Sequence, residues 1–421
     1  MQADWYHLKD PDTVASPALL VYPQQVEMNI DRMIAIAGGP GHLMPHVKTH
    51  KMKPIVQMQL DKGIHRFKCA TFAEALMLAE AGAQDILMAY QLTTPVAEQF
   101  ALLAKQYPKS RFSSLVDNLD SAMLLNKIFS PPGDQFAAGH LLNDIDHPPR
   151  DHFGTVPAPE SAAVANVYID IDNGMHRTGL APEKVFALYE QLQSLPHVQC
   201  LGLHAYDGHI RDTDLAVRTE KCEAAFAVVA ALAARMPGAE IIAGGSPTFP
   251  VHASRLKAWE KIAAADTGNT ETAEAKDAAA SGHKGVRLTC SPGTCVLWDE
   301  GYGSTLPDQP FITAALLLTR VISKPQEGHM TLDLGHKAVS AENPITKRAF
   351  FHELGEYEVI SQSEEHLVVK TPLAGRFKVG DVLYGTPWHV CPTVALYNEA
   401  QIIENGILTD TWPIARGRKL L

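Results

Sequence analysis

Residues Pro45-His46-Val47-Lys48-Thr49-His50-Lys51 close a short apolar run, His42-Leu43-Met44, and open into a helical pattern. A lysine at the end of a strand can be held in a pocket, where desolvation or a nearby cation frees its amine to attack a carbonyl. The same two lysines and two histidines also suit an ordinary solvated loop. The residues around them choose between these readings.

Apolar runs alternate with helical patterns through most of the chain, as parallel strands joined by crossover helices do. Strands are expected over 42–48, 66–70, 85–90, 111–116, 166–171, 200–206, 240–243 and 287–290, with helices such as 72–81, 183–195 and 216–236 between them. Eight strands with intervening helices predict an α/β fold of the TIM-type (β/α)8 barrel class, whose site forms from loops at the strands' C-terminal ends. Residues 16–22 read as an earlier strand and 26–36 as an amphipathic helix. From residue 310 the texture changes to short β-rich runs, at 311–322, 330–334, 357–361, 366–370 and 381–384, predicting a second, smaller C-terminal all-β domain. Two stretches interrupt the barrel pattern as insertions, near 130–162 and 263–285, and carry no assigned chemistry.

With 421 residues and 46% hydrophobic content, two domains are expected. A net charge of -11 without a long basic run argues against nucleic acid or an anionic membrane as partner, but allows a local basic pocket for phosphate. The first residues, Met1-Gln2-Ala3-Asp4-Trp5, lack a secretory pattern, and no segment reaches membrane-span length. Six cysteines without a CxxC pair fit a reducing cytoplasm.

Four further stretches carry chemistry. Gly244-Gly245-Ser246-Pro247-Thr248 follows the seventh candidate strand, where barrels commonly bind phosphate; its glycines admit an anion and its hydroxyls can donate, although a plain tight turn would look the same. Arg177, in Asp172-Asn173-Gly174-Met175-His176-Arg177, suits an anionic oxygen or else ties its own turn to Asp172. His204 and Tyr206 alternate onto one face at the end of the sixth strand. His389 and Cys391, two apart and on one face if extended, can hold zinc; a buried free cysteine beside a structural histidine is the other reading.

The run at 45–51 resembles the lysine motif of the D-threonine aldolase and D-serine dehydratase family, pyridoxal-phosphate enzymes of the alanine-racemase fold, and that family's other signatures follow in order. The resemblance implies a barrel over 23–309, with residues 1–22 joining 310–421 in the β-domain. It makes Lys48 the cofactor-bearing lysine, with His46, Arg177, Tyr206, Gly244, Gly245, Ser246 and Thr248 as cofactor contacts. It makes His389 and Cys391 the metal pair, where the soft thiolate favours zinc over manganese or magnesium. A homodimer is also implied. Ser291 stands where alanine racemases carry an arginine, a departure that speaks against simple racemisation. The implied activity is a lyase acting on a D-3-hydroxy amino acid, by dehydration (D-serine or D-3-hydroxyaspartate) or by retro-aldol cleavage (D-threonine). The alternatives are an amino-acid racemase and a non-catalytic pyridoxal-phosphate-binding homeostasis protein.

Overall fold

The computed structural model describes residues 5–131, 164–267 and 285–417. The insertions expected near 130–162 and 263–285 fall almost wholly outside these residues. The chain opens with β1 (Ala18–Val21) and α1 (Pro23–Ala37). Seven parallel strands follow, each paired to the next in chain order: β2 (Arg66–Cys69), β3 (Asp85–Gln91), β4 (Arg111–Val116), β5 (Ala165–Ile171), β6 (Val198–Ala205), β7 (Glu240–Ala243) and β8 (Arg287–Cys290). Helices α2 (Lys53–Asp61), α3 (Phe72–Ala81), α4 (Thr94–Gln106), α5 (Leu119–Phe129), α6 (Pro182–Leu192), α7 (Leu215–Ala233) and α8 (Phe249–Thr267) run between and beside them. Local chemistry sets their ends: in α3, Thr71 accepts from the Glu74 amide at the start, and Gly82 takes the left-handed conformation that stops it.

The expected first barrel strand, 42–48, is corrected. It is an extended segment that closes the barrel through two isolated bridges, Leu43 to Cys290 and His46 to Lys68. Met44 and His46 donate to the carbonyls of Cys290 and Pro292 (2.9 and 2.8 Å), Val47 donates to Lys68, and Lys68 donates back to Pro45 (both 2.9 Å). Pro45 has no N–H to continue a ladder, so the segment changes neighbours there and delivers Lys48 at the strands' C-terminal rim.

The barrel interior is layered. At the N-terminal end, Arg66 donates two parallel bonds to Glu240 (2.7 and 2.6 Å) and one to Asp85 (2.9 Å), while Tyr168 donates to the same Glu240 (2.7 Å). Met44, Leu87, Leu115, Tyr168 and Ile242 fill the barrel's own apolar cluster.

The second domain holds β9 (Ala315–Ser323), β10 (His329–Leu332), β11 (Ala349–Phe351), β12 (Glu358–Gln362), β13 (Leu367–Lys370), β14 (Val382–Pro387), β15 (Glu399–Glu404) and β16 (Ile407–Pro413). β1 lies here, antiparallel to β9 and parallel to β15. The hairpin of β15 and β16 has no counterpart among the expected runs: its exposed face and the polar sequence of β16 hide the period-2 signal. Among the described residues no helix is long and apolar enough to cross a membrane.

Candidate active site

A cleft of about 1190 Å³ opens where the barrel's C-terminal rim meets the β-domain. Lys48, Lys68, Arg177 and Tyr206 line it from the barrel, and Glu342, His389 and Cys391 from the other side. Three cations surround one ring: Lys48 Nζ lies 5.8 Å, Lys68 Nζ 5.9 Å and the Arg177 guanidinium carbon 5.0 Å from the Tyr206 ring centroid. Each contact is within cation–π range. The ring itself packs against Gly208 and Gly245, where an added Cβ would come within 2.4 and 2.9 Å of it. Among the described residues, no carboxylate pairs with any of the three cations.

The alternative role for Arg177, tying its turn to Asp172, is not what the geometry shows. Both Asp172 oxygens are taken by His176 (2.9 and 2.8 Å) and by the Gly174 amide (3.1 Å). Arg177 is left to turn over Tyr206.

His204 is buried and its Nδ1 donates to Asp170 (2.7 Å), whose other oxygen accepts from Gln91 (2.8 Å) and Thr178 (3.0 Å). A carboxylate at Nδ1 fixes the tautomer and leaves the Nε2 lone pair facing Lys68 Nζ at 3.4 Å. Burial and the Lys68 charge hold the His204 ring below its ordinary pKa, so it is neutral. Burial, reinforced by Lys48, pushes the Lys68 amine down to about 7. His46 is likewise held neutral by burial and by Lys48 and Lys68, and its Nδ1 accepts from the Lys48 amide (3.3 Å).

The 244–248 turn divides. Gly245 and Ser246 line the cleft, with Ser291, Gly293 and Thr294 beside them. The amides of Gly293 and Thr294 converge on Ser246 Oγ (3.2 and 3.0 Å), making a compact set of donors around one hydroxyl. Gly244 and Thr248 do not line the cleft: the Gly244 amide donates to Ala205 (3.0 Å), and the Thr248 hydroxyl turns inward to donate to Asp207 (2.7 Å). In this structure the Thr248 hydroxyl thus braces the turn through the buried Asp207 carboxylate.

His389 and Cys391 meet across from the lysines. The segment is not extended throughout: His389 caps a short helix, Val390–Val394, that carries Cys391 in its first turn. The two side chains nevertheless touch. Burial pushes the Cys391 thiol up, but His389 overcomes this and leaves it below the usual thiol range. Burial opposes the His389 cation, yet Cys391 and Glu342 together raise it to about 9. Glu342 bonds His389 Nδ1, while Thr49 and Thr294 hydroxyls approach Cys391 Sγ at 3.1 and 3.4 Å. Burial raises the Asp299 carboxyl nearby to about 6; it accepts from the Val390 and Tyr302 amides (both 3.0 Å), tying barrel to β-domain.

Lys68, Asp170, Asp299 and Glu342 were not singled out from the sequence. For Lys68 a signal existed: two cations at alternate positions of a short buried strand, Arg66-Phe67-Lys68-Cys69, both point one way. Asp207, Cys222 and His252 also cluster, fully buried, with donor atoms within 4.8 Å of one another. There Arg255 donates to His252 Nδ1 (2.5 Å), so Nε2 carries its proton and donates to Asp207 (2.8 Å). Burial raises the Cys222 thiol to about 12. With the thiol protonated and Nε2–H turned to Asp207, the cluster is closed by its own hydrogen bonds, which tie the 206–208 and 244–248 turns together.

A barrel with a lysine at its rim, joined to a β-domain that begins with the chain's own first strand, defines a class of fold. The chain belongs to the alanine racemase, N-terminal domain, family, which it matches over residues 21–259. A second match, to a serine dehydratase domain family, covers residues 314–403. The D-threonine aldolase of Arthrobacter sp. is 29% identical over 414 residues, covering 96% of this chain and 93% of that protein. The structure resembles D-threonine aldolase from Filomicrobium marinum (TM-score 0.73, 22% identity, 96% and 95% of the two chains). It also resembles D-threo-3-hydroxyaspartate dehydratase from Delftia sp. HT23 (TM-score 0.72, 21% identity, 96% and 98%). That type of dehydratase has been solved with a histidine, or the cysteine two positions after it, replaced by alanine, the cysteine variant in a metal-free form.

Proposed function

We propose that the chain is a lyase that uses pyridoxal 5'-phosphate and a divalent metal to act on a D-3-hydroxy amino acid. The observation that carries this reading is one cleft with three carboxylate-free basic side chains on one wall and an imidazole beside a thiol of lowered pKa on the other. An anionic, carbonyl-bearing cofactor suits the first wall. Lys48 offers the amine, Tyr206 a ring, Arg177 a fixed charge, and Ser246 with the Gly293 and Thr294 amides a cradle for phosphate. A soft divalent cation suits the second, and zinc is our choice; His389 and Cys391 supply two ligands and leave room for a substrate oxygen.

When bound, pyridoxal 5'-phosphate supplies an electron sink for charge at the substrate's Cα, and the metal supplies Lewis acidity at the 3-hydroxyl. The protein's own residues do the rest. Lys48, freed by substrate, is the amine that would take the Cα proton in dehydration or return one to Cα after Cα–Cβ cleavage. Neutral His46 and His204 add no charge that would compete with it, and Asp170 keeps His204 from rotating. Departure of the hydroxyl as water gives a dehydratase, whereas loss of the hydroxyl proton with Cα–Cβ cleavage gives an aldolase. The cysteine at the second ligand position supports dehydration, given the histidine and cysteine of the 3-hydroxyaspartate enzyme. The 29% identity to an aldolase over nearly the whole chain supports the other outcome. A homodimer belongs to the same reading and is checked by sedimentation.

The test is an assay of the purified protein with pyridoxal 5'-phosphate and zinc on D-serine, D-threonine and D-3-hydroxyaspartate, with ammonia, oxo acid and glycine measured separately. Ammonia with oxo acid, abolished by chelation, is the expected dehydratase result, and glycine with aldehyde the aldolase one. No product on any of the three overturns the lyase reading.

A further inference from the structure

Lys68 has no part in the scheme above, yet it is 3% exposed inside the barrel and lines the same cleft as Lys48. A buried ammonium without an anionic partner carries a desolvation cost of several kcal/mol, so a merely structural position here would be better served by an apolar side chain or by a nearby carboxylate. The same strand shows what a structural cation looks like: Arg66, two residues earlier, is clamped by Glu240 and Asp85. At Lys68 the nearest acid, Asp170, is held off by an intervening imidazole.

We propose that Lys68 is a proton-switching residue of this site, its Nζ standing beside Lys48 near the Tyr206 ring and exchanging a proton with water as an anionic occupant enters and leaves. The inference rests on the reading above for the identity of that occupant, an organic phosphate. In the empty cleft the groups facing Lys68 are His46 and Lys48 from the closing segment, Asp170 and Arg177 from β5 and its turn, and His204, Tyr206 and Asp207 from β6 and its turn. His46 and His204 are neutral, so two cations and two partnered carboxylates remain, and burial tips Lys68 towards the free amine at about 7. An arriving anion favours the ammonium. One N–H bond then forms on Nζ with a proton from water, and it breaks when the anion departs. The neutral form also explains how two lysines share one wall without strong mutual repulsion.

The experiment is calorimetric binding of pyridoxal 5'-phosphate near pH 8 in two buffers of different ionisation enthalpy, on the wild-type chain and on Lys68→Met and Lys68→Arg. The expected result is that the wild type takes up roughly one proton more than either variant, because methionine cannot be protonated and arginine always is. Equal uptake in all three overturns the proposal. Failure of the wild type to bind the cofactor is a different outcome that sinks the cofactor reading. For that case, trace amine labelling of the unloaded chain against pH is read at Lys68 by mass spectrometry. A midpoint near neutrality supports the switch, and one in the range of surface lysines overturns it.

Discussion

Two layers of one barrel treat charge in opposite ways. At the N-terminal end Arg66, Glu240, Asp85, Tyr168 and Thr289 satisfy one another so fully that Glu240 is held below the ordinary carboxylate range despite burial, with Arg66 the main stabilising partner. At the C-terminal rim Lys48, Lys68 and Arg177 share an aromatic ring and, among the described residues, have no carboxylate. On β2 the two layers are two residues apart, Arg66 in the lower and Lys68 in the upper. The lower layer closes its charges and contributes to holding the barrel; the upper one leaves charge available to something that is not protein.

This contrast can be broken by mutation. Lys48→Ala should lower turnover by about 10⁴-fold or more while leaving the thermal midpoint within a few degrees, because under the proposed function it removes both the covalent anchor and the proton carrier. Glu240→Ala should do the reverse. Removing one member of a buried, hydrogen-bonded pair strands Arg66, and chemical denaturation should register a loss of about 3–5 kcal/mol. A Glu240 variant that unfolds like wild type would end the idea that the lower layer is structural.

Under the proposed function, Cys391→Ala, or a chelator on the wild type, should reduce turnover by about 10²-fold or more, the scale of a lost Lewis acid. The denaturation midpoint should hardly move, and bound zinc should fall in elemental analysis. The most gradual effect is one of pH. The Lys68 amine sits near 7 in the fold against an ordinary value above 10, so between these limits the unfolded chain binds more protons than the native one. Stability contributed through Lys68 must therefore rise with pH across that window, by at most about 1.4 kcal/mol per unit. Lys68→Met should flatten this rise in denaturation curves taken from pH 7 to 10; an unchanged slope would place the lysine in a wetter setting than the geometry gives.

Much of this was legible before folding, and for identifiable reasons. Strands such as β3, β5 and β7 announce themselves as short, largely apolar runs, since strands buried on both faces need no polar alternation. The 42–48 segment carries the same composition, but Pro45 cannot sustain a ladder, and only the placement of β8 and β2 on either side shows that it closes the barrel by two bridges. Thr248 illustrates the opposite limit. A hydroxyl in a glycine-bearing turn suits a phosphate on paper, yet Asp207, forty-one residues upstream, lies close enough to claim it. His389 and Cys391 were found for a reason that does not hold, because a helix begins between them. They still touch, since the helix cap turns both side chains towards the cleft.

By itself the sequence determined the element types, the order of the barrel strands and the residue kinds that carry chemistry, because period and composition are local properties. Pairing is not local. Which cations find a carboxylate, as Arg66 does and Lys68 does not, and which hydroxyls face the cleft were decided only when strands distant in sequence came into register around one axis, for the reach of a hydrogen bond is set in space.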